Sequence, residues 1–209
     1  IGNDFFQPDR EAWARQLADL KTGVDVAEQL GTHTLRVFSG NAKPDYTLEQ
    51  GLGWIIEGLA DGAEYAARHD VTLALENHGL MAGRSDQVRS IIETVNSPAL
   101  RANLDTGNFL LVNQNPTDAA RELAGMVALV HLKDFRKVRP DDTEHIYKGL
   151  DGAAFTGAVV GEGQVDLKAI TDTLRQAGYM GWLSLEFEGG QDPLTIGVPE
   201  SLRAAQRLL

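Results

Sequence analysis

The sequence predicts an α/β domain of the (β/α)-barrel type, on three observations. Amphipathic helical runs alternate with short apolar strand-like runs along most of the chain, no low-complexity linker interrupts them, and four of the strand-like runs end in a carboxylate or an imidazole. At 209 residues and 43% hydrophobic content the chain has the size and apolar content of one domain, read as spanning 1–209.

The elements follow in order. Residues 9 to 30 place Trp13, Leu17, Leu20, Val24 and Ala27 at steps of three and four, the mark of one buried helical face, and Gly31 stops that helix. A β-branched and aromatic strand follows over Thr34 to Phe38. A helix from Leu48 to Arg68, with Trp54, Ile55, Leu59, Ala63 and Ala66 inward, leads into VTLALE. One over Ser85 to Val95 leads into LRANLD, and one after Pro116, with Ala120, Leu123 and Ala124 inward, leads into MVALVH. Asp166 caps a helix with Leu167, Ile170, Leu174 and Ala177 inward, which leads through Gly178 into WLSLEFEG. A last helix covers Glu200 to Leu208. Residues 136 to 164 break the rhythm; they read as a long Gly-rich loop over the site, with at most a short strand at Gly157 to Val160.

Composition removes several function classes. A net charge of -11 and a pI near 4.8 oppose nucleic-acid binding, which runs on clustered Lys and Arg. Cysteine is absent, so neither a disulfide framework nor a thiolate metal site is available, which fits a cytoplasmic protein. No window approaches the length of a membrane span, and the first residues lack a signal peptide's basic-then-apolar pattern.

The chemistry gathers at strand ends. TLALE ends at Glu76, ANLD at Asp105, ALVH at His131 and LSLE at Glu186. In a parallel barrel all strands point their C-terminal ends to one face, so these four side chains are expected to converge. Three anionic groups there would repel one another by several kcal/mol without a cation. Oxygen-rich ligation with one imidazole suits Mn²⁺ first, with Mg²⁺, Co²⁺ or Zn²⁺ as alternatives. Such an ion polarises a carbonyl or hydroxyl oxygen and acidifies the neighbouring C–H. Glu76 and Glu186 are then either an acid/base pair across one carbon or ligands only.

The motifs LRVFSG, LALENHG, ANLDTGNF, VHLKDF, VGEGQVD and GYMGWLSLEFEG, in this order, resemble the xylose-isomerase-like sugar isomerase/epimerase family over nearly the whole chain. The resemblance implies a TIM barrel with metal ligands Glu76, Asp105, His131 and Glu186, and, from its ketose 3-epimerases, Glu76 and Glu186 as the proton-transfer pair. Substrate-binding candidates follow by position. Arg36 either contacts substrate or pairs with an acid inside the barrel; His78 contacts substrate or satisfies loop backbone; Lys133 neutralises a substrate oxyanion or an acid such as Asp134. Asn108 stands where several ketose epimerases have a histidine, and Glu162 reads as a structural hydrogen-bonder.

A family barrel has eight strands. Counting back from Glu186 as the eighth puts Arg36 on the third, so about six βα units are expected here, without the first strand and most of the second. The open edges predict a homodimer, or intrinsic instability. The expected activity is metal-assisted isomerisation or epimerisation of a carbohydrate. The rivals are a lyase or dehydratase acting on a keto-sugar or C-glycoside and a truncated barrel that binds metal without turnover. Apurinic-site endonucleases share the barrel but use more histidines on a basic surface. No Gly-rich phosphate cradle is present, which favours an unphosphorylated substrate.

Overall fold

The computed structural model describes residues 1–208. They form two compact units, Ile1–Asn103 with Met126–Leu129, and Leu104–Gly125 with Val130 onward.

In the first unit, helix α1 (Arg10–Gln29) starts where the Asp9 carboxylate accepts the Glu11 N–H, and it is followed by Gly31 at a φ of 69°. It buries Trp13, Leu20, Val24 and Ala27 and leads into β1 (Thr34–Val37). Helix α2 (Leu48–Arg68) opens on a capping box between Thr47 and Gln50 and feeds β2 (Thr72–Glu76). Helix α3 (Ser85–Val95) ends at Asn96 in the left-handed region and precedes β3 (Leu100–Asp105). The strand order is β1-β2-β3-β4, where β4 (Val127–Leu132) begins in this unit. β1 and β2 pair in parallel, as do β2 and β3, with Thr34 opposite Thr72 and Glu76 opposite Asn103. The first residues run beside β1, the Ile1 amino group donating to the Arg36 carbonyl at 2.8 Å and the Phe5 N–H to that of Ser39 at 3.1 Å. Phe5 and Phe6 are fully buried. Their rings press on α2 where it carries glycine: a Cβ at Gly58 would stand 2.4 Å from Phe5, and one at Gly51 1.9 Å from Phe6. Glycine's helix cost of about 1 kcal/mol is offset here by two buried aromatics.

In the second unit the strand order is β3-β4-β8, where β8 is Trp182–Leu185. A short helix α4 (Asn108–Leu111) follows β3, then α5 (Pro116–Leu123), capped by Asn115 through the Thr117 and Asp118 N–H groups. After β4 the chain forms a three-stranded antiparallel sheet in the order β5-β7-β6, from β5 (Asp134–Lys137), β6 (Ile146–Lys148) and β7 (Ala154–Ala158). Helix α6 (Leu167–Gln176) starts at Asp166, and β8 (Trp182–Leu185) precedes a π-helical turn, Pro193–Gly197, and α7 (Val198–Ala205).

The structure corrects the sequence reading in several places. Residues 136 to 164 are not a plain loop: Arg136 faces Thr156 and Tyr147 faces Phe155 across ladders whose polar residues hid their pairing. The strand expected at Gly157 to Val160 is β7, which starts three residues earlier and pairs in this small sheet. The last helix begins two residues early, at Val198, and ends at Ala205, and Ala177 is exposed because α6 has already ended. Leu17, Trp54 and Ala124 are half-buried rather than fully inward. Among the described residues no helix is long and apolar enough to cross a membrane.

Candidate metal centre

Glu76 closes β2 in the first unit with only 3% of its surface exposed. The Asn103 side-chain amide donates to its Oε2 at 3.2 Å, and Arg36 Nε lies 3.4 Å from the same oxygen. Arg36 is therefore the partner of an acid, with its guanidinium stacked 4.2 Å from the Phe38 ring centre and donating to the Ile1 carbonyl at 3.0 Å. His78 lies beyond the end of β2, exposed in a loop, with its ring 5.0 Å from that of Phe38. It borders a cleft of about 160 Å³ with Asn3, Asp4, Ser39 and Asn41.

In the second unit, Asp105, His131 and Glu186 come together. The Thr106 N–H donates to the His131 carbonyl at 3.0 Å, and the Glu186 N–H to that of Leu132 at 3.1 Å, so strand hydrogen bonding sets the three side by side. Glu76 and Asp105 are the last residues of their strands, His131 is the penultimate residue of β4, and Glu186 follows β8 directly. Asp105 is fully buried, and its Oδ1 accepts the Gly107 and Asn108 N–H groups, both at 2.9 Å, which leaves Oδ2 facing the cluster. His131 Nδ1 stands 3.1 Å from Glu186 Oε2 and 3.9 Å from Asp105 Oδ2.

Lys133 completes the group. Its ammonium lies 3.1 Å from carboxylate oxygens of Asp105, Glu186 and Glu188, and 3.4 Å from Asn108 Oδ1. Burial alone would lower its pKa, but the three carboxylates outweigh burial and hold it above the usual lysine range. Glu186 is shifted the opposite way: burial raises it, and His131, Asp105 and Lys133 together bring it well below the ordinary carboxylate range. Asp134, the other acid expected to meet Lys133, does not; its carboxylate accepts the Gly161, Gly163 and Val165 N–H groups at 3.0, 2.9 and 3.1 Å. Glu162 is exposed in that loop. Glu188 was missed from the sequence, although its spacing of two from Glu186 was the available signal.

The donor set fits a divalent cation. One ligand atom each from Asp105, His131 and Glu186 lie within 4.8 Å of one another. Three carboxylates against one ammonium leave a surplus of two negative charges when His131 is neutral.

The sequence model of the xylose isomerase-like TIM barrel matches residues 2–209. An inosose dehydratase of Geobacillus thermodenitrificans is 27% identical over 159 residues, covering 72% of this chain and 51% of that protein. The chain thus spans about half the length of this curated relative. Among solved structures, a xylose isomerase-like TIM-barrel protein of Mycobacterium smegmatis in complex with magnesium aligns with a TM-score of 0.76 at 19% identity, over 100% of this chain and 72% of its own. An L-ribulose 3-epimerase aligns with a TM-score of 0.78 at 20% identity, over 99% and 70%. These two likenesses are of fold, an incomplete (β/α)8 barrel in the present chain. The chain belongs to the xylose isomerase-like TIM-barrel family.

Proposed function

We propose that the chain carries the catalytic centre of a carbohydrate isomerase or epimerase that works by metal-assisted proton transfer. The observation that carries this reading is the gathering of Asp105, His131 and Glu186 around a surplus of negative charge. Glu76, the buried acid that ends β2, is the fourth ligand in this reading, on its strand-end position and family membership. We take the two units to be parts of one barrel domain, since one family model runs through both. Mn²⁺ is the first choice of ion for three carboxylates and one imidazole, ahead of Mg²⁺, Co²⁺ and Zn²⁺.

The bound ion would polarise a substrate oxygen and acidify the adjacent C–H. Glu186 takes or returns the proton at that carbon, with Glu76 as its counterpart from the other face. Asn108 and Lys133, side by side at 3.4 Å, present an amide and an ammonium to substrate oxygens, and Arg36, 3.4 Å from Glu76 Oε2, orients that carboxylate. His78 borders the cleft by Phe38 and contacts the distal part of the substrate. The substrate is a small carbohydrate, and the working particle a cytoplasmic homodimer.

A second reading is a dehydratase, in which the same proton is removed and a hydroxyl leaves from the next carbon. It is favoured by the similarity to an inosose dehydratase and by Lys133, whose ammonium can donate a hydrogen bond to the departing oxygen and so stabilise its developing charge. The test is NMR of a panel of ketoses, keto-sugars and inososes in D₂O with Mn²⁺-exposed protein, later exchanged to Mg²⁺. Deuterium entering at carbon with retained composition supports epimerisation or isomerisation, and loss of water supports the dehydratase. Glu186→Gln is expected to lower either rate by about 100-fold or more. Confirmed ion binding with neither exchange nor loss of water in any substrate would sink both readings.

A further inference from the structure

A buried lysine among ligand carboxylates is itself a competitor for any ion placed there. Lys133 is 3% exposed, and its ammonium is equidistant, at 3.1 Å, from Asp105 Oδ2, Glu186 Oε2 and Glu188 Oε2. Asp105 and Glu186 are ligands in the reading above; Glu188 is not. Two close approaches fix this arrangement. A Cβ at Gly107 would stand 2.9 Å from Lys133 Cγ, so the lysine stem lies across bare backbone. A Cβ at Gly157 would stand 2.3 Å from the Glu188 carbonyl carbon, so β7 packs backbone against backbone and sets where the Glu188 side chain begins. The third carboxylate is thus held beside the ammonium by the fold.

We propose that Lys133 and Glu188 form a charge switch: Lys133 is the internal cation that Asp105 and Glu186 hold without an ion, and on ion binding its ammonium passes to Glu188 and Asn108, where it donates to a substrate oxygen. Two cations cannot share the same two carboxylates without mutual repulsion, and in a buried site that repulsion is strong. The flexible four-carbon stem lets Lys133 withdraw while its charge stays satisfied, because Glu188 lies within 3.1 Å and Asn108 Oδ1 within 3.4 Å. Glu188 is a positioning residue here, acting through Lys133. The inference rests on the metal centre proposed above.

The experiment is calorimetric titration of Mn²⁺ into metal-free wild-type, K133M, E188Q, E188D and K133M/E188Q chains, with free Mn²⁺ followed by electron paramagnetic resonance. K133M is expected to bind the ion about tenfold more tightly than wild type, E188Q about tenfold more weakly, and E188D close to wild type. In the K133M background the E188Q loss is expected to shrink, since Glu188 then has no ammonium to receive. Should K133M not fold without metal, the E188Q and E188D pair gives the same reading. Wild type that binds Mn²⁺ while K133M binds it equally or less tightly overturns the switch and leaves the centre standing. An E188Q loss of the same size in both backgrounds overturns the part of Glu188. Wild type that binds no divalent ion overturns the centre, and the switch with it.

Discussion

Asp134 follows Lys133 directly, yet its carboxylate accepts three backbone N–H groups of the Gly161–Val165 loop. Burial leaves its pKa above the usual carboxylate value, although those N–H groups pull it down, and hydrogen bonds stand in place of a counter-charge. Gly163 is the tightest point: a Cβ there would stand 2.1 Å from Asp134 Oδ1. Asp134→Ala leaves three N–H groups without their acceptor and is expected to cost about 3 kcal/mol, with Asp134→Asn costing less, both read by thermal unfolding. A loss under about 1 kcal/mol for the alanine variant would refute the clamp. The sequence displayed Glu76, Asp105, His131 and Glu186 because each closes or follows an apolar strand, and in the second unit hydrogen bonding between strands sets Asp105, His131 and Glu186 side by side. It misdirected Lys133 toward Asp134 because neighbours in a strand point to opposite sides, a fact that names the side and not the partner. Glu188 lay beyond the apolar run, where strand parity was no longer assured.

The helices were legible from their period: α2 and α3 fall on the expected bounds, and the Asp166 cap read from the sequence accepts the Ala169 N–H. The small β5-β7-β6 sheet was not, because it is held by pairing and by one ion pair rather than by an apolar pattern. Arg136 meets Asp142 with two hydrogen bonds of 2.7 Å, and the Arg139 N–H donates to the same carboxylate at 2.6 Å. These contacts, Arg136 foremost, hold Asp142 down to about 2. Its folded pKa therefore lies below the ordinary value of about 3.9. The stabilisation is present above that ordinary value and is lost as pH falls through about 2. The protection of the β6 and β7 amides, taken relative to intrinsic exchange at each pH, is expected to fall over that acid window in the wild type. In Arg136→Gln the protection should be low and independent of pH across the same range, and an unchanged protection profile in that variant would remove Asp142 as the cause.

The whole chain carries a net charge of -11, so two copies repel one another unless apolar contact and screening overcome it. The second unit supplies such contact at the end of its strand order. There β8 is preceded by Met180 at 93% exposure, carries Trp182 at 79%, and is followed in the π-helical turn by Leu194 at 83%. An edge strand flanked by large exposed apolar side chains is a template for pairing, and a two-fold arrangement satisfies both copies with one surface. Each Trp182 taken out of water contributes about 2 kcal/mol, against which the like charges act over roughly 10 Å at ordinary ionic strength. The expected outcome is a dimer whose fraction rises with protein concentration and also with salt, because salt weakens the repulsion and leaves the apolar contact intact. Multi-angle light scattering across a concentration series at low and high ionic strength reads this directly, and Trp182→Ser, which removes one indole from each copy, is expected to shift the midpoint toward higher concentration by roughly several hundred-fold. Scattering that stays monomeric at high salt, or dimerisation that weakens as salt rises, would show that β8 does not join two copies by apolar contact.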